Sequence, residues 1–205
     1  MRMRRFIPVT KRPAFALVAL LMTPLLMTGC AQSPQILQVK PDIGTDLPHT
    51  GNGQEIALDV VDGRRSDVLG TRSGSPASTS TIRVPAHDVI PKLQTQAEQA
   101  LRRMGFSPVK NGGANATLTL TLADLSYAPV EADAPMLDAA QLQAVLRAQV
   151  ANDGGTYTGT YTAKRKQSFA IKPDWDSNNR MVSDLLSNAL RRAFSDPELS
   201  RQLKN

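Results

Sequence analysis

The chain of 205 residues offers few groups for demanding chemistry: one cysteine, two histidines and one tryptophan. Transition-metal sites need His, Cys, Asp or Glu clustered at ligand spacing, and His49 and His87 stand too far apart to form such a cluster. His87 is followed by Asp88, which suggests a base with its orienting carboxylate. A triad also needs a nucleophile motif, and none adjoins them. Their position just before an apolar-periodic run reads as helix capping. The stretch GNGQEI has the glycines of a dinucleotide fingerprint, but a strand follows it where a helix is required. No Walker-type lysine motif occurs. These absences lead to the expectation of a non-enzymatic chain with no cofactor and no metal.

Three clusters could bind a partner or ligand. In VVDGRRSDVLGTR, Asp62 closes a strand-like run and can receive the planar fork of a nearby arginine. The loop residues Asp62, Arg64, Arg65, Gly70 and Arg72 therefore form either a braced turn or an interaction surface. In KPDWDSNN, Trp175 stands between Asp174 and Asp176. An aromatic face flanked by acids suits a sugar ring and its hydroxyls, while the alternative is a packed indole with Asp176 or Ser177 capping the next helix. Lys164, Arg165 and Lys166 are consecutive in a strand, so their side chains alternate between faces and make no compact basic patch.

Cys30 is placed in LLMTPLLMTGCAQS, after a basic head and an apolar stretch. That is the anatomy of a secretory signal, with small residues at its end. Five of the 24 basic residues precede Cys30 and none of the 18 acidic ones does, so the remaining chain is nearly neutral, at 19 against 18. Nucleic-acid binding needs a concentrated basic excess, and this chain has none beyond the targeting segment. The run LMTGC resembles the lipobox of bacterial lipoproteins, with Gly29 before the cysteine and Met27 where leucine is commoner. The resemblance implies cleavage between Gly29 and Cys30, a diacylglyceryl thioether on Cys30 and acylation of the new amino terminus. Several acyl chains anchor a protein stably where one alone does so marginally. Ala31 follows the cysteine where aspartate would resemble an inner-membrane retention signal, which favours the outer membrane, facing the periplasm.

The expected organisation is a signal peptide over 1–29, a lipid-bearing flexible tether over 30–54 rich in Pro and Gly, in which any strand is short, such as Gln35 to Val39, and an α+β domain over 55–205. EIALDVVD alternates and predicts a strand; a long polar loop and a short strand in STIRVP follow. Residues 87–106 repeat apolar side chains at helical spacing, with Asp88 as N-cap and Gly105 at the C-terminus. ATLTLTLADLSYAPV alternates and then shifts phase, which predicts a bulge near Ala123–Asp124. Residues 141–150 are good helix formers, yet their apolar positions fall at period two. The NDGG turn after them, followed by TYTGTYT, decides for a hairpin. Residues 177–194 predict a second helix, and Asp196-Pro197 starts a last helical turn. The fold expected is a largely antiparallel sheet of about four to five strands with two main helices packed on one face.

VVDGRRSDVLGTR, the helix ending in Gly105-Phe106, TLTLADLSY, the GGTYTGTY hairpin and the final helix followed by SDPEL together resemble the YajG-like family of bacterial envelope lipoproteins. The resemblance spans nearly the whole domain and implies an envelope lipoprotein without an established enzymatic activity. The expectation is a membrane-held, non-enzymatic module that binds another envelope protein. The alternative is an accessory binding protein for a small molecule, lipid or glycan in envelope transport or cell-wall maintenance. An apolar cavity between helices and sheet would favour the alternative; a filled core would favour the first.

Overall fold

In a computed structural model, residues 33–72, 79–110 and 113–204 are described. The signal segment, Gly29, Cys30 and most of the Ser/Gly insert after Arg72 lie outside them. The longest strands are three of 15 residues each: β6 (Ala116–Val130), β7 (Asp138–Asn152) and β8 (Gly155–Phe169). They form an antiparallel meander, and the two-residue turn Asp153–Gly154 sets the register Asn152↔Gly155. The period-two reading of residues 141–150 holds over helix propensity because every apolar side chain on that phase is buried, from Leu142 to Val150.

The bulge falls between Leu122 and Asp124. It lets the leucines before it and Leu125 and Tyr127 after it point to the same buried face. β2 (Glu55–Asp62) adds parallel to β6, with Ile56, Leu58 and Val60 continuing that face. A short β5 (Ser107–Val109) adds parallel to β2, so the large sheet runs β5-β2-β6-β7-β8 and is mixed at one side.

Helix α1 (Ala86–Arg103) lies against β2, and α2 (Trp175–Phe194) lies against β7 and β8. α1 buries Val89, Leu93, Ala97, Ala100 and Leu101, one turn-spaced stripe. It ends in a Schellman arrangement: the Phe106 N–H donates to Leu101 O at 2.9 Å and the Gly105 N–H to Arg102 O at 3.1 Å, with Gly105 at φ +91. Its start differs from expectation. The N-cap is Pro85, without a side-chain hydrogen bond, and Asp88 sits one turn in, paired with Lys92 at 2.7 Å. Proline there supplies the extended entry geometry, and the acid still favours the positive end of the helix. α3 (Pro197–Lys204) closes the chain, with Asp196 accepting from the Glu198 N–H at 2.9 Å.

Two further corrections concern what the sequence presented as loop. Within the polar stretch after Asp62, β3 (Val68–Thr71) pairs antiparallel with β4 (Thr81–Arg83). β1 (Gln35–Ile36) pairs parallel to β4, giving a second sheet in the order β1-β4-β3. The tether expected over 30–54 therefore does not extend that far: residues 33–54 belong to the domain. Leu37, Val39 and Ile43 are wholly buried in the common core. The backbone of the segment is fixed by side chains of both long helices. The Lys40 N–H donates to Ser183 Oγ at 2.9 Å, Asp42 N–H to Ser187 Oγ at 2.8 Å and Ile43 N–H to Gln96 Oε1 at 2.8 Å. Prolines and glycines made the stretch read as linker; long-range partners, invisible locally, satisfy its backbone.

Candidate functional site

The loop after β2 is built around one bidentate pair. Arg64 Nε and Nη2 donate to the two carboxylate oxygens of Asp62 at 2.9 and 2.7 Å, and the Arg64 N–H donates to Asp62 Oδ1 at 3.0 Å. Nη2 also reaches Val84 O at 3.0 Å, tying the loop to the residue just after β4. The Arg64 side chain is 3% exposed, so its charge is sealed inside the turn. The hydrogen bonds from Arg64 hold the Asp62 carboxyl below its usual range, outweighing the opposing effect of burial. A parallel brace joins Arg83 to Asp67 at 2.9 and 3.0 Å.

Gly70 lies where β3 passes over β6. A Cβ built there would stand 1.9 Å from Tyr127 O, so only glycine permits the approach. Arg65 is exposed on the loop surface. Arg72 points the other way, into a cleft of about 320 Å³ lined also by Tyr127, Pro129, Leu137, Phe169 and Lys172. The structure thus separates the five loop residues: Asp62 and Arg64 form the brace, Gly70 the crossing, Arg65 the outer surface and Arg72 a cleft wall. The cleft sits at the far ends of β3, β6 and β8, not between helices and sheet. Burial pushes the Tyr127 hydroxyl up, and the positive charge of Arg72 partly offsets this. Glu131 and Asp138 line the same cleft as Arg72 and Lys172, so it carries both signs of charge and no nucleophile–base pair. Sequence reasoning missed Phe169 and Lys172 as its walls; their nearness to Arg72 depends on the β7–β8 register.

The Trp175 cluster resolves differently. Asp174, and neither Asp176 nor Ser177, is the N-cap of α2: its Oδ1 accepts from the Ser177 N–H at 2.8 Å. Hydrogen bonding from the Ser177 side chain, and then from its backbone N–H, holds the Asp174 carboxyl below its usual range. Trp175 Nε1 donates to Ile36 O at 2.7 Å, while 38% of the residue stays exposed. Asp176 sits in the first helical turn, and the indole and the two acids do not converge on a common cavity among the described residues. His49 packs its ring over Gly105, and His87 is exposed at the start of α1. Among the described residues no three His, Cys, Asp or Glu side chains are grouped as a metal site, and no helix is long and apolar enough to cross a membrane.

Residues 41–204 match the model of a family described as uncharacterized lipoprotein. The chain belongs to this lipoprotein family. Membership implies an envelope protein held to a membrane. No curated protein matches the chain. The fold is similar to that of a protein of Xanthomonas campestris, with a TM-score of 0.53 at 12% identity over 83% of this chain and 95% of that one. A minor lipoprotein of Acinetobacter baumannii is matched at TM-score 0.37 and 15% identity, over 73% of this chain and 88% of that one. The rare lipoprotein B of Shewanella oneidensis is matched at TM-score 0.40 and 12% identity, over 73% and 89%. Only the first of these likenesses supports the fold, and it speaks to the fold alone.

Proposed function

We propose that this lipoprotein is a YajG-like module, acylated on Cys30 after cleavage behind Gly29, held at the inner leaflet of the outer membrane and facing the periplasm. Its role is to bind another envelope protein without catalysis. The observation that carries this reading is the filled interior. Helices, both sheets and the N-terminal segment share one apolar core, from Leu37 to Leu203, and the clefts among the described residues lie at the surface. A rigid body with a braced, exposed loop is suited to presenting a surface. Arg65 stands at the outside of that loop while Asp62 and Arg64 fix its shape.

The accessory-binding alternative is favoured by one specific feature, the cleft of Arg72, Tyr127, Phe169 and Lys172. Its volume is at the small end of ligand sites. A photo-crosslinking side chain at Arg65 in intact cells, with the captured protein identified by mass, tests the first reading. A single specific adduct supports it, and no adduct there or on the rest of the loop transfers the reading to the cleft. The anchoring is tested by Cys30→Ser. The variant is expected to leave the membrane fraction and to take up no labelled palmitate; labelled palmitate in that variant would refute lipidation at Cys30.

A further inference from the structure

The end of the domain where the chain enters carries an exposed apolar rim. Gln35 and Ile36, the first strand residues, are fastened to the first turn of α2: Asn178 Nδ2 donates to Gln35 Oε1 at 2.7 Å, and Trp175 Nε1 to Ile36 O. β8 ends at Phe169, opposite Asp138 of β7, so the loop before α2 and the loop before β7 emerge side by side at this same end. Their tips are apolar and unburied. Ile171 is 85% exposed, and Met136, held at φ +65, is 98% exposed; Ile36 is 57% exposed and Trp175 38%. Leu137, next to Met136, is 37% exposed as well, whereas away from this end Val61 and Val68 are exposed singly at 36% and 37%, so the large apolar side chains gathered here are a patch that calls for a covering surface.

The length of chain before the domain says what covers it. Four residues separate Cys30 from Gln35, and the five steps between them, fully extended, reach at most about 18 Å. A domain held so closely has its entry end at the headgroups. We infer that this end docks on the lipid bilayer, with Ile171, Met136, Ile36 and Trp175 set into the interfacial layer; this rests on the lipidation of Cys30 proposed above. Tryptophan with a polar N–H and an apolar body suits that layer. The docking is apolar in origin. Lys166 is paired with Asp133 at 2.5 Å and Arg165 with Asp184 at 3.3 Å, and Lys172, exposed beside Ile171, shares this end with Glu131, Asp138, Asp174 and Asp176, so the end offers no net basic field for anionic lipid.

The chain has one tryptophan, and it lies in the rim. The full acylated protein, purified from membranes and reconstituted into neutral phosphatidylcholine vesicles, is expected to show blue-shifted Trp175 emission. Phospholipid brominated near the headgroup should quench that emission, and added salt should not relieve the quenching. The double variant Ile171→Asp with Met136→Asp changes only exposed side chains, so the domain stays folded, and it is expected to lose the quenching while keeping its acyl chains. An intact mass taken on the same sample separates the two readings. Acylated protein without quenching overturns the docking and leaves the anchoring standing. Unacylated mature protein overturns the anchoring and takes the docking with it. Equal quenching in the double variant also overturns the docking. So does a blue shift that bromine does not quench and that grows with protein density, which would assign the rim to a second copy of the chain.

Discussion

Asp196 shows how one carboxylate can join two elements. It begins α3 by accepting from the Glu198 N–H, and its other oxygen accepts from Tyr161 at 2.6 Å and Tyr157 at 3.1 Å, both on β8. Burial alone would raise this carboxyl, but the hydrogen bonds from Tyr161, the Glu198 backbone and Tyr157 outweigh it and hold the group below its usual range. Burial, reinforced by Asp196, pushes the Tyr161 hydroxyl up, and that hydroxyl donates to the Asp196 carboxylate. A depressed folded-state carboxyl adds stability above its unfolded value of about 4, and that stability disappears as pH falls through the folded value. Asp196→Asn should therefore be less stable than the native chain at neutral pH in urea unfolding. The gap should close as pH is lowered below about 4. A gap that stayed constant down to strong acid would mean that the charge is not what matters.

At the scale of elements, the small sheet depends on an approach that a single side chain would block. Gly70→Ala would drive a Cβ into Tyr127 O, so β3 would have to lift from β6. The expected loss is about 1–3 kcal/mol, read from urea midpoints, with local protection of residues 68–71 in hydrogen exchange lost first. The loop brace and this crossing explain why Asp62, Arg64 and Gly70 stand out in sequence: each has a local geometric duty. The phase shift in β6, the β7–β8 hairpin and both long helices were legible for the same reason, since their patterns are periodic and near in sequence. β3 and β5 were not, because three or four residues carry too little pattern and their partners come from elsewhere in the chain. The cap of α2 was misplaced by two or three residues. Asp174 and Asp176 are both good caps, and only the path of the loop from Phe169 decides between them. The cleft at Arg72 was illegible because it brings the end of β3 against the ends of β6, β7 and β8, which lie far from it in sequence.

For the whole molecule, the N-terminal segment is the closing strap. Its backbone is received by Ser183, Ser187 and Gln96, and its apolar side chains fill the space between the helices and the small sheet. Ile43→Ala should cost roughly 2–5 kcal/mol in urea unfolding, as for a wholly buried core side chain; a linker residue would cost nothing measurable. The described N-terminal segment is thus part of the folded body. A protease that nicked the segment between Gln35 and Leu47 would not release an intact domain. It would strip away Leu37, Val39 or Ile43 and open the interior, so clipping would be a route to degradation and not to release.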